Sequence, residues 1–233
     1  MSPMSPRLLR PRATGFNPKS ISGLAAWWDF NDGSTVTVQT GISSVLDKSG
    51  NGRTLLQTTT NNQPAWTPNV LNGKYAAVFD GSNDTLSASF TLAQPATVFC
   101  VGRWTSPAGG NQLFDGASAG NTMRFFISTN PQCALFAGSQ ITSSNTTLNA
   151  HAVWQTVFSG ASSSIGRNGV QIASGNAGTA SPGGIYLSMF GNGFSNATAS
   201  EIAAVLIYSA VLTSSQASAV RAWLGKLYGI TVA

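Results

Sequence analysis

Charged side chains are scarce in this sequence of 233 residues, where they make up 8% of the chain, against about 25% in an average soluble domain. Coiled coils and charged helical bundles need Glu, Lys and Arg on their outer faces, so the composition excludes both classes. Glutamate and histidine occur once each and cysteine twice, which leaves little material for acid–base catalysis or a metal site. The surface must therefore be covered mainly by 30 Ser, 23 Thr and 17 Asn residues.

The apolar residues are numerous enough for a sizeable core, since they make up 42% of the chain and include 12 Phe and 6 Trp. From residue 97 onward, short apolar segments alternate with Gly- and Asn-rich turns about every dozen residues, which is typical of a β-sandwich. Asn168-Gly169 is the strongest hairpin signal. Residues 75–79 and the segment beginning at Thr85 are predicted to form another hairpin, and residues 230–232 are candidates for a return to a sheet.

One amphipathic helix is predicted near the C-terminus. Thr213 and Gln216 have the spacing of a capping box, and Gly229 suits a left-handed helix end. The apolar stripe between them has helical spacing and comprises Ala217, Val220, Leu224 and Leu227. We expect this helix to cover one edge or end of the sandwich.

The first 20 residues carry four basic groups and no acid, whereas the remainder is nearly neutral, with eight basic and seven acidic residues. Four prolines disfavour regular structure in this segment. We therefore predict an extended basic N-terminal arm over residues 1–20 and one sandwich domain over residues 21–233. Because an apolar pair lies between arginines, we expect the arm to dock on an acidic groove of a partner. The candidate docking residues are Arg7, Leu8, Leu9, Arg10 and Arg12.

Several kinds of partner and cofactor are not expected. No stripe of Lys and Arg marks the body for nucleic acid, and the longest apolar stretch, residues 202–208, is too short to span a membrane. No secretory leader or cofactor-binding fingerprint is visible. Cys100 and Cys133 lie in apolar segments, which favours two buried free thiols over a disulfide or a metal site.

Several sequence blocks, taken in order, resemble the laminin-G-like, concanavalin-A-like jelly-roll domains of phage virion proteins and bacterial surface proteins. These blocks are residues 16–18, 23–29, 47–52, 72–73, 79–84, 201–203, 206–208 and 228–230. The resemblance implies an all-β, concanavalin-A-like jelly-roll β-sandwich with one short C-terminal α-helix. It is less specific for function, because this sandwich carries lectins, glycosidases and structural subunits.

The resemblance, the missing leader and the basic arm favour a non-enzymatic virion structural protein of a phage. We expect a head decoration subunit, or a fibre or tail component, that docks on other virion proteins at the particle surface. By resemblance we favour a homotrimer. The alternative is a carbohydrate-binding, lectin-like module of a bacterial surface protein, and a degenerate glycosidase is a third, weaker hypothesis.

The candidate glycan contacts are Trp104, beside a Gly-Gly loop, and Trp66, between two prolines. An aromatic ring at a loop can stack on a sugar; the simpler alternative is that both rings plug the ends of the sandwich. Trp27 and Trp28 alternate along a strand, so we expect one in the core and the other under a loop or the helix.

No catalytic residues are assigned. Glu201 is the only glutamate and has no acidic neighbour, and His151 is interpreted as a strand-edge polar residue. Asp80 and Asp84 could be read as a calcium site, but two acids favour a turn in which they cap backbone N–H groups, and Asp47 is interpreted in the same way.

Overall fold

The computed structural model describes residues 15–116, 123–181, 183–189 and 197–233. The predicted docking residues of the arm lie outside these ranges; they are Arg7, Leu8, Leu9, Arg10 and Arg12. Within the described ranges, no helix is both long and apolar enough to cross a membrane.

The described residues form seventeen strands and one α-helix, with most strands ending at glycine- or asparagine-rich turns. In chain order the elements are β1 (Leu24–Asp29), β2 (Val36–Val38), β3 (Ile42–Val45), β4 (Leu55–Leu56), β5 (Ala65–Leu71), β6 (Lys74–Asp80), β7 (Leu86–Ser89), β8 (Ala96–Trp104), β9 (Gln112–Gly116), β10 (Arg124–Thr129), β11 (Gln132–Phe136), β12 (Gln140–Thr142), β13 (Ala152–Phe158), β14 (Ser163–Arg167), β15 (Val170–Gly175), β16 (Gly184–Leu187), β17 (Ala199–Tyr208) and α1 (Ser214–Tyr228).

Two antiparallel sheets form the architecture. The eight-stranded sheet has the order β15-β14-β13-β8-β17-β6-β5, with β1 also paired to β17, and the nine-stranded sheet has the order β12-β11-β10-β9-β16-β7-β4-β3-β2. Strands distant in sequence are neighbours in both sheets, as in a jelly roll. The predicted all-β jelly-roll sandwich with one C-terminal helix is confirmed.

Hydrophobic layers cover both faces of the eight-stranded sheet. Trp28 belongs to the core between the sheets, whereas Trp27 lies on the opposite face under α1, its ring 5.6 Å from Trp223. The predicted division of the two tryptophans is therefore confirmed. Cys100 and Cys133 are buried free thiols in the core, as expected, and burial raises their pKa values to about 12 and about 11 respectively.

The helix α1 forms as the sequence predicts. Thr213 and Gln216 make both hydrogen bonds of the capping box, and Gly229 ends the helix at φ +65°. Tyr228 is fully buried, and its hydroxyl donates a hydrogen bond to Asp29 Oδ1 at 2.9 Å. These contacts fix the helix on β1 and β17, so the expected helical cover of the sandwich is confirmed.

Two local predictions are wrong. β6 and β7 do not form a hairpin, because the turn between them carries the chain from the eight-stranded sheet to the nine-stranded one, where β7 pairs with β4 and β16. Residues of the same types form hairpin turns and turns that cross between sheets, so the composition of this turn could not distinguish the two connections. Residues 230–232 form no strand; Ile230 and Val232 pack against the helix layer instead.

Residues 16–20, which the sequence placed in the arm, pack on the domain. Pro18–Ser20 forms a short 3-10 helix, and Pro18 is buried. Tyr208 donates a hydrogen bond from its hydroxyl to the Pro18 carbonyl oxygen at 3.2 Å. The packed domain therefore begins before residue 21.

Shortening a buried side chain in the layer under α1 is expected to lower the free energy of unfolding. Leu224 is fully buried, so Leu224→Ala is expected to lower the free energy of unfolding by about 2–5 kcal/mol, through lost apolar burial and a cavity. Urea denaturation followed by circular dichroism measures this. Ser218→Ala, on the exposed side of the same helix, should change the value by less than about 0.5 kcal/mol. Equal midpoints for the wild type and Leu224→Ala would contradict the packing described.

Candidate functional site

Trp104 is the last residue of β8 and has no exposed surface. Its ring centroid lies 5.5 Å from that of Trp154 and 5.4 Å from that of Phe125, within the core between the sheets. The expected glycan contact is therefore corrected, since neither face of the ring is open to a ligand. The strand continues through Trp104 because it pairs with Ser200 of β17, a long-range contact that the neighbouring loop sequence does not reveal.

Trp66 lies in the edge strand β5 and is half-buried. Its indole Nε1 donates to the Phe30 carbonyl oxygen at 2.7 Å, and its ring stacks on Tyr75 with centroids 4.3 Å apart. The ring N–H and one ring face are thus used within the protein. Trp66 and Trp104 lie on different elements and do not form one site.

A charged cluster lies on the outer face of the eight-stranded sheet, where Glu201 of β17 is paired with Arg103 of β8. Arg103 donates two hydrogen bonds to Glu201, from Nε to Oε2 at 2.8 Å and from Nη2 to Oε1 at 3.0 Å. His151 Nε2 also lies 2.8 Å from Glu201 Oε2. Sequence reasoning treated Glu201 and His151 separately, because 50 residues separate them in the chain.

The cluster fixes the charge state of its carboxylate. Burial disfavours the charged form of Glu201, but the contacts with His151 and Arg103 outweigh it and lower the pKa to about 2. Glu201 is therefore a carboxylate at neutral pH with both oxygens engaged. A glycosidase acid needs a raised pKa and a second carboxylate nearby, and this arrangement supplies neither.

The side chains of the turn acids accept hydrogen bonds from backbone N–H groups. Asp80 Oδ1 accepts from the N–H of Ser82 at 2.7 Å, and Asp84 Oδ2 accepts from the N–H of Asp80 at 3.0 Å. Asp47 accepts from the N–H of Trp27 at 3.0 Å. These bonds confirm the capping role predicted for the turn acids. In the part of the chain that the structure describes, no group of three or more His, Cys, Asp or Glu is placed to hold a metal ion.

A line of side chains crosses the outer face of the nine-stranded sheet, one from each of six neighbouring strands. Strand pairing aligns the members of each neighbouring pair except Arg124 and Asp115, which are placed next to each other by the adjacent pair Phe125 and Phe114. We call them the sheet-face row: Phe136, Arg124, Asp115, Tyr186, Ser87 and Leu56. Since strands lie about 4.8 Å apart, the row is about 24 Å long.

Arg124 is the charged hydrogen-bond donor of the sheet-face row and lies one strand from its β11 end. Its guanidinium lies 3.9 Å from the ring centroid of Phe126 and 5.2 Å from that of Phe136, within cation–π range. Half-burial lowers the pKa of Arg124, and the charge of Asp115 opposes this. Asp115 itself has no exposed surface. The side chains of Arg124, Tyr186 and Phe136 are each partly exposed.

A buried side-chain amide, that of Gln112, lies on β9, the strand next to the one that carries Arg124. Gln112 is the strand partner of Phe126 and has no exposed surface, and its Nε2 has no hydrogen-bond partner among the described residues. The sequence analysis missed the sheet-face row because its members are far apart in the chain. The one sequence signal that pointed to Arg124 was its charge, because Arg124 and Arg167 are the only charged residues between Asp115 and Glu201.

No protein-family model matches the sequence, and no curated protein matches it significantly. Solved structures do share its fold. The sialidase of Trypanosoma rangeli, in complex with sialic acid, is 14% identical with a TM-score of 0.61 over 91% of this chain and 34% of the sialidase. This chain thus spans about a third of the length of the sialidases it resembles.

Two further solved domains have similar TM-scores. The ligand-binding domain of botulinum neurotoxin serotype D, in complex with N-acetylneuraminic acid, is 9% identical with a TM-score of 0.62 over 86% of this chain and 50% of that one. Domain 4 of AbnA, an extracellular GH43 arabinanase from Geobacillus stearothermophilus in complex with arabinotriose, is 16% identical with a TM-score of 0.62 over 83% and 95%. At these identities the likeness shows the β-sandwich fold alone.

The Glu201 cluster predicts acid-sensitive stability. Because the pKa of Glu201 lies at about 2 in the fold and at 4.5 ordinarily, its stabilising effect is present above about pH 4.5 and is lost as the pH falls towards 2. Urea midpoints of the wild type and Glu201→Gln should differ at pH 7 and converge at low pH. A difference that stays constant down to pH 2.5 would contradict this assignment.

Trp66 is predicted to contribute to stability through its indole N–H. Trp66→Phe keeps a ring to stack on Tyr75 but leaves the carbonyl of Phe30 without its donor. We expect a loss of about 1–2 kcal/mol in the free energy of unfolding, measured by urea denaturation. Tyr75→Phe retains both the stack and the indole bond, and it should unfold like the wild type. An unchanged free energy for Trp66→Phe would show that the indole bond is unimportant.

Proposed function

We propose that this chain is a non-catalytic, glycan-binding β-sandwich module and that its ligand lies on the sheet-face row. The observation that carries the proposal is the Arg124 guanidinium held over two phenylalanine rings, in the same row as the partly exposed Tyr186. Sugar recognition needs an aromatic surface together with hydrogen-bond donors and acceptors. Arg124 provides donors, and the hydroxyls of Tyr186 and Ser87 provide both.

The similar structures support this proposal over the virion role favoured by the sequence. The ligands in those structures are sialic acid, N-acetylneuraminic acid and arabinotriose, and they favour the carbohydrate-binding alternative. The virion location, the trimer and partner docking by the arm stay predictions. They would be tested by locating the chain on particles and by light scattering of the purified protein.

The non-catalytic part of the proposal rests on the state of the carboxylates. Glu201 is bonded to Arg103 through both oxygens, and Asp80 and Asp84 cap a turn. Asp115, a member of the sheet-face row, has no exposed surface. None of these four carboxyl groups combines exposure with the raised pKa that a glycosidase acid requires.

The proposal is tested on an array of neutral and carboxylated oligosaccharides, followed by calorimetry with the sugars that bind. Tyr186→Ala is expected to weaken binding by about tenfold or more, because it removes a partly exposed ring and its hydroxyl from the sheet-face row. Tyr75→Ala is the matched control, since Tyr75 is half-exposed on the other sheet. Circular dichroism checks that both variants fold.

Three outcomes would contradict the proposal. The first is no binding to any sugar on the array. The second is binding that Tyr186→Ala leaves unchanged. The third is binding lost in Tyr75→Ala and kept in Tyr186→Ala, which would assign the ligand to the surface around Trp66 instead.

A further inference from the structure

A groove of about 690 Å³ lies beside α1, on the far side of the eight-stranded sheet from the sheet-face row. Its apolar side chains are half-buried or small, and Trp223 is the largest of these residues. We call it the helix groove; its main lining residues are Phe16, Ala222, Trp223, Leu227, Lys74 and Lys226.

The aromatic floor of the helix groove is fixed by packing. Trp223 meets Trp27 edge-on at 5.6 Å, and Phe16 lies 6.2 Å from Trp223. Trp27 is itself held by its place in β1 and by Lys48, whose Nζ lies 4.7 Å from the Trp27 ring centroid. A rigid, recessed aromatic surface of this kind is typical of the anchor pockets in protein interfaces.

The charges at the helix groove have one sign. Lys74 and Lys226 line it, and neither forms an ion pair within the described residues. The acids Asp29 and Asp32 are engaged elsewhere, with Lys48. A ligand that complements this surface therefore carries carboxylates next to apolar side chains.

The chemistry of the lining distinguishes this ligand from a sugar. The side chains that line the groove offer two ammonium donors but no carboxylate, amide or hydroxyl to accept from sugar hydroxyls. We propose that the helix groove binds an acidic, apolar peptide segment of a partner protein. Its apolar side chains enter the recess over Trp223, and its carboxylates pair with Lys74 and Lys226.

A membrane surface and the N-terminal segment of this chain fit the helix groove less well than an acidic peptide. A membrane surface takes up protruding apolar side chains, whereas the highly exposed large apolar residues of the described chain lie outside this groove: Val38, Leu46, Leu56, Val170 and Val211. The N-terminal segment of this chain is basic, with Arg7, Arg10 and Arg12. Its charge has the same sign as the two lysines of the groove.

The test uses the full chain and labelled synthetic peptides that combine leucine and phenylalanine with glutamate, glutamine or lysine. A peptide of residues 1–14 and vesicles containing phosphatidylserine are added as further probes. Fluorescence anisotropy should show binding of the glutamate peptides, at least about tenfold tighter than their glutamine counterparts. Lys226→Glu should weaken that binding by about tenfold or more, because it replaces attraction by repulsion.

The matched control is Gln140→Glu with Gln171→Glu, which changes the net charge as much as Lys226→Glu does but on β12 and β15. This double variant should bind like the wild type. The proposal is overturned if no glutamate peptide binds, if the control weakens binding equally, or if the vesicles or the peptide of residues 1–14 bind instead. Because the sheet-face row lies on the other sheet, sugar binding by Lys226→Glu is expected to be unchanged.

Discussion

The structure depends on one strand that is buried on both faces. β17 pairs with β1, β6 and β8; its Val205 and Ile207 face the core between the sheets, and its Leu206 and Tyr208 face the layer under α1. An apolar strand of this kind has no stable position except between two layers. The sandwich and the helix are therefore joined through β17. The hydroxyl of Tyr228, at the end of the helix, forms hydrogen bonds with Asp29 of β1 and with the Ala203 carbonyl oxygen of β17.

The low charge of the chain gives each remaining charge a large local effect. Charged side chains that pack on the fold have specific neighbours. Arg103 pairs with Glu201, and the guanidinium of Arg53 lies 4.4 Å from the ring centroid of Phe90. Partial burial without such neighbours would cost several kcal/mol per charge. Lys74 and Lys226 contrast with this pattern, because they line a groove without an ion pair among the described residues.

The two candidate surfaces differ in the chemistry they offer. The sheet-face row combines a guanidinium, phenylalanine rings and hydroxyls, and so provides donors and acceptors to a polar ligand. The helix groove provides apolar walls and ammonium groups, which suit carboxylates on an apolar scaffold. The sheets separate these surfaces, so the two proposed ligands do not compete for space, and a variant at one surface leaves the other in place.

The sequence by itself determined the elements whose signals are local. The capping box at Thr213, the hairpin at Asn168 and the alternating environments of Trp27 and Trp28 all follow from spacing along the chain. Tertiary structure alone decided how distant segments meet. Trp104 is enclosed because β8 pairs with β17, and the sheet-face row exists because six strands from residues 55 to 187 align in register. Such contacts are set by strand pairing across long loops, which composition and periodicity do not encode.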